Sequence, residues 1–470
     1  MSQLTNTTNW LAEVEKRKEA LIADTQALLK IKSILDPETV TETAPFGQGV
    51  EQALDFMLTK ASTDGFSVKN TEGYAGHIEY GEGKEILGVL GHIDVVPEGS
   101  GWNSDPFAAE IRDGRIYARG AIDDKGPVMA AYYGLKMIKE LGLPVNKRIR
   151  LILGGDEESE WRCVDHYFKT EEMPTIGFSP DAEFPICNAE KGICNLELTY
   201  QGQANPDTDF KIISFGAGER LNMVPDLATA VVEMDPNRIT KIKEVFKAFC
   251  TSALIEHSIE IDNNQVTFTI HGVSAHGSTP HLGVNAGVKL AAFLANYTSH
   301  PYFHFIKKYI VFNEDGSKFD IAYHDHITED LTINYGTFQF STTAPSIIGL
   351  NLRYPVTFDF ETGFTNLKVI ATLNGFELKE GRHQKPHHVP ADNTLVTTLQ
   401  KVYQEHTGQD ATLYSMGGGT YARALTQGVA FGPLFPGRED VVHQKNEYIS
   451  IDDLIKATAI YAHAIYELAK

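Results

Sequence analysis

The chain is short of cysteine, of basic charge and of long apolar runs, and each shortage removes a class of protein. Its four cysteines in 470 residues, Cys163, Cys187, Cys194 and Cys250, form no CxxC pair and lack the dense, even spacing of a disulfide framework. That usage fits a reducing compartment and ordinary thiols. No window of about 18 uncharged apolar residues occurs, so no membrane span is expected. The opening MSQLTNTTNWLAEVEKRKEA has no basic stretch followed by an apolar one, and no secretory leader is expected there. Lysine and arginine total 41 against 62 aspartates and glutamates, giving a formal charge of −21. Such a charge repels nucleic-acid phosphates and anionic membranes but does not oppose cation uptake. The expectation is a soluble cytoplasmic protein without nucleic-acid or membrane partners.

Hydrophobic residues make up 42% of the sequence, and the length exceeds what one ordinary core organises, so two or more domains are expected. From Trp10 to Ile31 apolar side chains recur at helical spacing without glycine or proline, which predicts a first, continuous helix. EILGVL then runs into GHIDVVP, a buried strand that delivers His92 to a loop. In GRIYARGAIDDKGPVMAAYYGLKMIKELGLP a short strand and a polar turn with Asp123 and Asp124 precede a helix. Pro127 stands near its first position and Gly142 at its stop. Arg148 to Leu153 is a third strand, ending at Asp156, Glu157 and Glu158, and Thr175 to Ser179 is a fourth, ending at Asp181. Late in the chain, Asp392 to His406 reads as helix, GVAFGPL as strand, and the stretch from about Asp452 as a terminal helix with Ser450 at its start.

Strands alternating with helices predict an α/β layered catalytic domain with a central, mostly parallel sheet, whose ligands bind beyond the carboxyl ends of the strands. The acidic and imidazole clusters fall there. Between them the texture changes to alternating strands such as NLELTY and QVTFTI, with helices near Lys241 to Leu254 and Asn285 to Tyr297. The division predicted is a catalytic domain in two parts, 1–186 and 385–470, interrupted by an inserted α+β lid domain at 187–384. Four strands, two helices and their connections consume roughly 80 to 100 residues. The insert is long enough for two similar units of that kind.

A two-metal hydrolytic centre needs nitrogen and oxygen ligands on both ions, a bridging carboxylate and a nearby general base. Taken singly, each candidate has an ordinary reading. His92 is a loop histidine, Asp123 and Asp124 a charged helix start, and Glu157 and Glu158 an acidic turn. Adjacent carboxylates at a strand end, however, repel unless a cation or a shared proton relieves them. Asp94 is close enough to His92 to fix its tautomer.

The ordered set GHIDVVP, WNSDPF, RGAIDDKGP, DEESEW, SPDAEFP, LNMVPD, SAHGSTPHLGVNA, NLRYP, GGGTYAR and PGREDVVHQKNE resembles the co-catalytic zinc peptidases that include aminoacylases, acetylornithine deacetylases and carboxypeptidases. Within that family it is most similar to the bacterial dipeptidase PepV branch. The resemblance implies that His92 and Asp181 bind one metal, that Glu158 and His443 bind a second, and that Asp123 bridges them. It also implies Asp94 as the partner of His92, a cis peptide between Asp123 and Asp124, and Glu157 as general base on a bridging water. From the insert, His276 would stabilise the oxyanion and Asn222 would contact substrate. Arg353 with the backbone of Gly417, Gly418 and Gly419 would hold the substrate carboxylate. One small departure is Ala118, where the family commonly has glycine.

The implied activity is two-metal hydrolysis of unblocked dipeptides. Two divalent ions are required, zinc first, with manganese or cobalt as alternatives. The resemblance further implies that the long insert, as in that branch, stands in for the second subunit of the family's simpler members, so a functional monomer is expected in which His276 acts within its own chain. The alternatives are an N-acyl amino acid deacylase of the same family and a catalytically silent metal-dependent binding protein. Glu157 and His276, whose loss would favour the silent protein, are both present. Cys163, near the acidic pair, reads as a buried, inert thiol.

Overall fold

A computed structural model describes residues 8–202 and 209–470. It forms two compact units. The first comprises residues 8–188, His388–Tyr414 and Gly419–Lys470, and the second comprises Ala189–His387 apart from 203–208, together with Ser415–Gly418.

ILGVLGH is buried along its whole length, as a strand covered on both faces requires. This strand, Ile86–His92, lies between Arg148–Gly154 and Ile176–Ser179, and Gly428–Ala430 follows outside the latter. All four run parallel. Antiparallel strands finish both margins, with Ala75–Tyr80 beyond Arg148–Gly154 and Ile186–Glu190 beyond Gly428–Ala430. The helix Lys125–Glu140 is buried over most of its length. It packs against the terminal helix Ile451–Ala469, which is capped by Ser450 and carries Asp452 and Asp453 in its first turn. Their close approach depends on Gly134, where a Cβ would sit 2.9 Å from the backbone nitrogen of Ala462.

Two local expectations are corrected. The helix expected from Trp10 to Ile31 is two helices, Trp10–Glu15 and Lys18–Leu29. Arg17 makes the break, because its guanidinium donates to the Glu13 carbonyl at 2.8 Å and to Glu140 at 2.7 Å. GVAFGPL is two short strands that join different sheets, divided by the cis Gly432–Pro433 bond.

The second unit is built on one eight-stranded antiparallel sheet. Its spatial order is Glu256–Asp262, Gln265–His271, Leu227–Met234, Phe210–Ala217, Thr332–Ser341, Ser346–Tyr354, Gly192–Tyr200 and Phe376–Gln384. Each half contributes four strands, and the halves join where Ser214–Ala217 pairs with Phe338–Ser341. The helices Pro236–Ser252 and Ala286–Leu294 pack on the first half and Phe360–Leu373 on the second. The expectation of an α+β domain with a doubled plan thus takes the form of two halves of a continuous sheet.

Candidate metal centre

Register brings the first residues of the site together. His92 is paired with Gly154, the last residue of its parallel neighbour, so Asp156, Glu157 and Glu158 emerge beside it. On its other side Val89 pairs with Phe178, and carrying that register three residues further sets Asp181 beside His92. Asp123 arrives from the turn before the helix Lys125–Glu140, through the cis Asp123–Asp124 peptide that the resemblance implies. His443 sits on a loop with φ of 61°, a left-handed conformation that few non-glycine residues adopt.

These side chains form two groups that share one carboxylate. His92, Asp123 and Asp181 present one ligand atom each within 4.8 Å of one another, and so do Asp123, Glu158 and His443. Asp123 Oδ1 lies 2.9 Å from His92 Nε2, and its Oδ2 lies 2.9 Å from His443 Nε2. Glu158 Oε1 is 3.0 Å from the same His443 nitrogen, and Asp181 Oδ2 is 3.7 Å from His92 Nε2. The bridging candidate therefore turns one oxygen to each group.

The electrostatics of the cluster ask for cations. Burial pushes the Asp181 carboxyl up to about 7, with the Asp123 charge adding. Burial likewise raises Glu158, reinforced by Asp123. Glu157 is raised well above the usual range by burial, and Asp181, Glu158 and Asp123 add to the effect against the opposing His92. Asp123 alone is held low, because hydrogen bonds to His443 and His92 outweigh its burial. Divalent cations among nitrogen and oxygen ligands would relieve this crowding, so the donor set fits two such ions.

A supporting layer fixes the cluster. Asp94 accepts the backbone N–H groups of Glu157 and Glu158, both at 3.1 Å. Its own carbonyl lies 3.0 Å from His92 Nδ1, and its carboxylate is further off, at 3.5 Å. Asp124 Oδ2 accepts the His92 backbone N–H. Glu447, fully buried, accepts the N–H groups of Ile122 and Asp123 at 2.9 and 3.3 Å and pairs with Arg119 at 2.6 Å. Sequence reasoning assigned Glu447 no role, although it is the last letter of the quoted PGREDVVHQKNE. Cys163 is buried with its Sγ 2.7 Å from the Tyr421 hydroxyl, and the Tyr421 ring stands edge-on to His92 at 6.1 Å.

Within the second unit, the sequence candidates also cluster. His276 Nδ1 lies 2.7 Å from Ser278 Oγ, and the Gly277 N–H donates to the Asn222 carbonyl at 2.7 Å. Arg353 donates through Nε to Asn351 and through Nη1 to the Gly417 carbonyl, both at 2.7 Å. A Cβ at Gly417 would meet Ser278 at 2.8 Å, which ties the arginine and histidine segments together. Gly418 belongs to the same unit, whereas Gly419 belongs to the first.

A parallel-centred α/β sheet with two nitrogen and oxygen ligand groups sharing a carboxylate at its strand ends is the arrangement of a metal-dependent hydrolase. The sequence profile of peptidase family M20/M25/M40 matches residues 88–467. The chain belongs to that family and is a metallopeptidase. It is 50% identical to the protein named "Putative dipeptidase YtjP" of Bacillus subtilis over 98% of this chain and all of that one. It is 42% identical to a "Putative dipeptidase" of Staphylococcus epidermidis over 98% of this chain and 99% of the relative. Human carnosine dipeptidase 1 shares the fold, with a TM-score of 0.56 at 13% identity, covering 98% of both chains. Members of this family use two divalent ions, and the two ligand groups meet that requirement.

Proposed function

We propose that this protein hydrolyses unblocked dipeptides, with His92 and Asp181 holding one ion, Glu158 and His443 the other, and Asp123 bridging both. The observation that carries the reading is the division of the Asp123 carboxylate, one oxygen toward each histidine. When bound, the two divalent cations supply Lewis-acid polarisation and acidify water to near neutrality. Zinc is the first choice, with manganese and cobalt compatible with the same donors.

Glu157 takes the proton of the attacking water and returns it to the leaving amine. It is absent from both ligand groups, while its backbone is pinned by Asp94 beside the ligand Glu158. His276 donates to the oxyanion and Asn222 assists it, a role supported by the Asn222–Gly277 backbone bond that holds the histidine turn. Arg353, with the amides of Gly417, Gly418 and Gly419, takes the substrate carboxylate, since a guanidinium fork and glycine amides both suit planar anions. The 50% identity to a relative named as a dipeptidase supports the substrate class. The protein acts as a monomer in the cytoplasm. Four free, buried cysteines support a reducing compartment, and no described helix is long and apolar enough to cross a membrane.

The test is amine release from Leu-Gly, N-acetyl-leucine and a tripeptide, using protein stripped by chelator and reloaded with zinc or manganese. Metal-dependent cleavage of Leu-Gly alone is expected. Preference for N-acetyl-leucine would move the chain to the deacylases, and inactivity with every metal would leave a binding protein.

A further inference from the structure

A second set of metal-type side chains lies in the sheet of the second unit and shares no residue with the ligand groups described above. Cys194, Glu380 and His383 present one potential ligand atom each within 4.8 Å of one another. Cys194 and His383 are direct partners across the antiparallel pair Gly192–Tyr200 and Phe376–Gln384. Glu380 is three residues from His383, so in a regular strand the two would point to opposite faces. A bulge opposite Asn195 removes that mismatch, since the register passes from Cys194↔His383 to Leu196↔Glu380. As a result Glu380 Oε1 lies 2.7 Å from His383 Nδ1.

The geometry points to a third, mononuclear site in which Cys194, Glu380 and His383 bind a borderline-soft divalent cation of the zinc type. Thiolate, imidazole and carboxylate are all ordinary zinc donors, and bond lengths of about 2.0 to 2.3 Å put neighbouring ligand atoms within the spacing found here. His383 is held as a metal ligand is held. Its far nitrogen, Nε2, lies 2.7 Å from the Tyr354 hydroxyl, a partner for the N–H that a metallated Nδ1 would leave there. The Phe360 ring packs against the imidazole, with centroids 4.1 Å apart and planes tilted by 36°. Cys194 is fully buried, and its Sγ lies 3.7 Å from the Asn195 carbonyl. The Glu380 side chain is 39% exposed, which gives an ion a way in and leaves a coordination position for water.

This site is separate from the Arg353 side of the sheet. Arg353 pairs with Ile193, one residue from Cys194, so its side chain projects from the opposite face. An ion at Cys194 would clamp the edge strand Phe376–Gln384 to its neighbour and, through Phe360, to the helix Phe360–Leu373.

The experiment is a Co²⁺ titration of chelator-stripped full-length protein, read by absorption and by metal analysis. The catalytic ligand groups contain no sulfur, so a thiolate-to-cobalt charge-transfer band in the near ultraviolet can arise only from a cysteine site. The expected result is a third equivalent of cobalt that brings this band, bleached by zinc. In Cys194→Ser the band is lost while two equivalents still bind and Leu-Gly turnover is unchanged. His383→Asn should weaken the third equivalent by about 10- to 100-fold. Saturation at two equivalents without a band overturns the proposal, and so does a band that survives in Cys194→Ser. The absorption band and the metal count, which decide the outcome, do not depend on the substrate assigned above.

Discussion

Asp94 holds the backbone of two neighbouring residues to which different work is assigned in the proposed mechanism, since its carboxylate accepts the amides of both Glu157 and Glu158. Removing the Glu157 carboxylate should therefore stop proton transfer and leave the ligands in place. In Glu157→Gln, kcat for Leu-Gly is expected to fall about 10² to 10⁴-fold, with two equivalents of metal retained by metal analysis. A rate near that of the parent would remove Glu157 from the mechanism. Glu447 acts one step further out, through the backbone of Asp123 and the charge of Arg119. Glu447→Gln keeps the shape and removes the charge, and metal affinity by competition with a chromophoric chelator should weaken about 10- to 100-fold. The two residues also mark what a sequence can disclose. His92, Asp123, Glu158 and Asp181 stand in recognisable segments at or beyond strand ends or before a helix, and His443 in a recognisable loop, so the roles proposed for them rest on motif and position. Glu447 stands in such a segment too, yet its partners are backbone groups more than three hundred residues away, and no local spacing announces them. Cys194, Glu380 and His383 were illegible for a related reason, because a bulge and a non-local strand pairing bring them together.

At the scale of elements, the sequence pattern located the strands that carry the site and missed features made by single side chains. Helical spacing from Trp10 to Ile31 is real on both sides of the break; Arg17, an ordinary helix former, ends the first helix by bonding to Glu13 and Glu140. Asp325 similarly ties two loops of the second unit, accepting from Ile327, Thr328 and Thr357. Against burial, which pushes it up, these hydrogen bonds hold its carboxyl down to about 2. A depressed folded-state value means stabilisation that is fully present above the ordinary carboxyl range and lost as pH falls through about 2. Asp325→Asn should thus cost about 1 to 3 kcal/mol in urea unfolding at pH 7, a difference that shrinks as the pH is lowered from about 5 toward 2. A pH-independent difference would assign the effect to packing instead. In the helix pair of the first unit, Gly134→Ala would ordinarily favour helix. Here the added Cβ meets a backbone nitrogen at 2.9 Å, and destabilisation of about 1 to 3 kcal/mol is expected in the same assay.

For the whole molecule, the question is whether one chain suffices. The second unit joins two four-stranded halves, each with its own helices, into one sheet by pairing Ser214–Ala217 with Phe338–Ser341. A junction that separate copies could supply by pairing strand edges is here made within a single chain. In this sheet the two outer strands remain for another copy to pair with, and both carry charges that oppose pairing. Glu256–Asp262 carries Glu256, Glu260 and Asp262, and Phe376–Gln384 carries Glu377, Lys379 and Glu380. Charged edges of this kind discourage strand addition, and a formal charge of −21 adds repulsion between copies. Light scattering coupled to size exclusion should accordingly give the 52.0 kDa of one chain, and Leu-Gly turnover per chain should stay constant on dilution across the nanomolar to micromolar range. A dimer whose specific activity falls as it dissociates would show that a neighbour completes the site, and His276 would then have to be tested as a residue acting between chains.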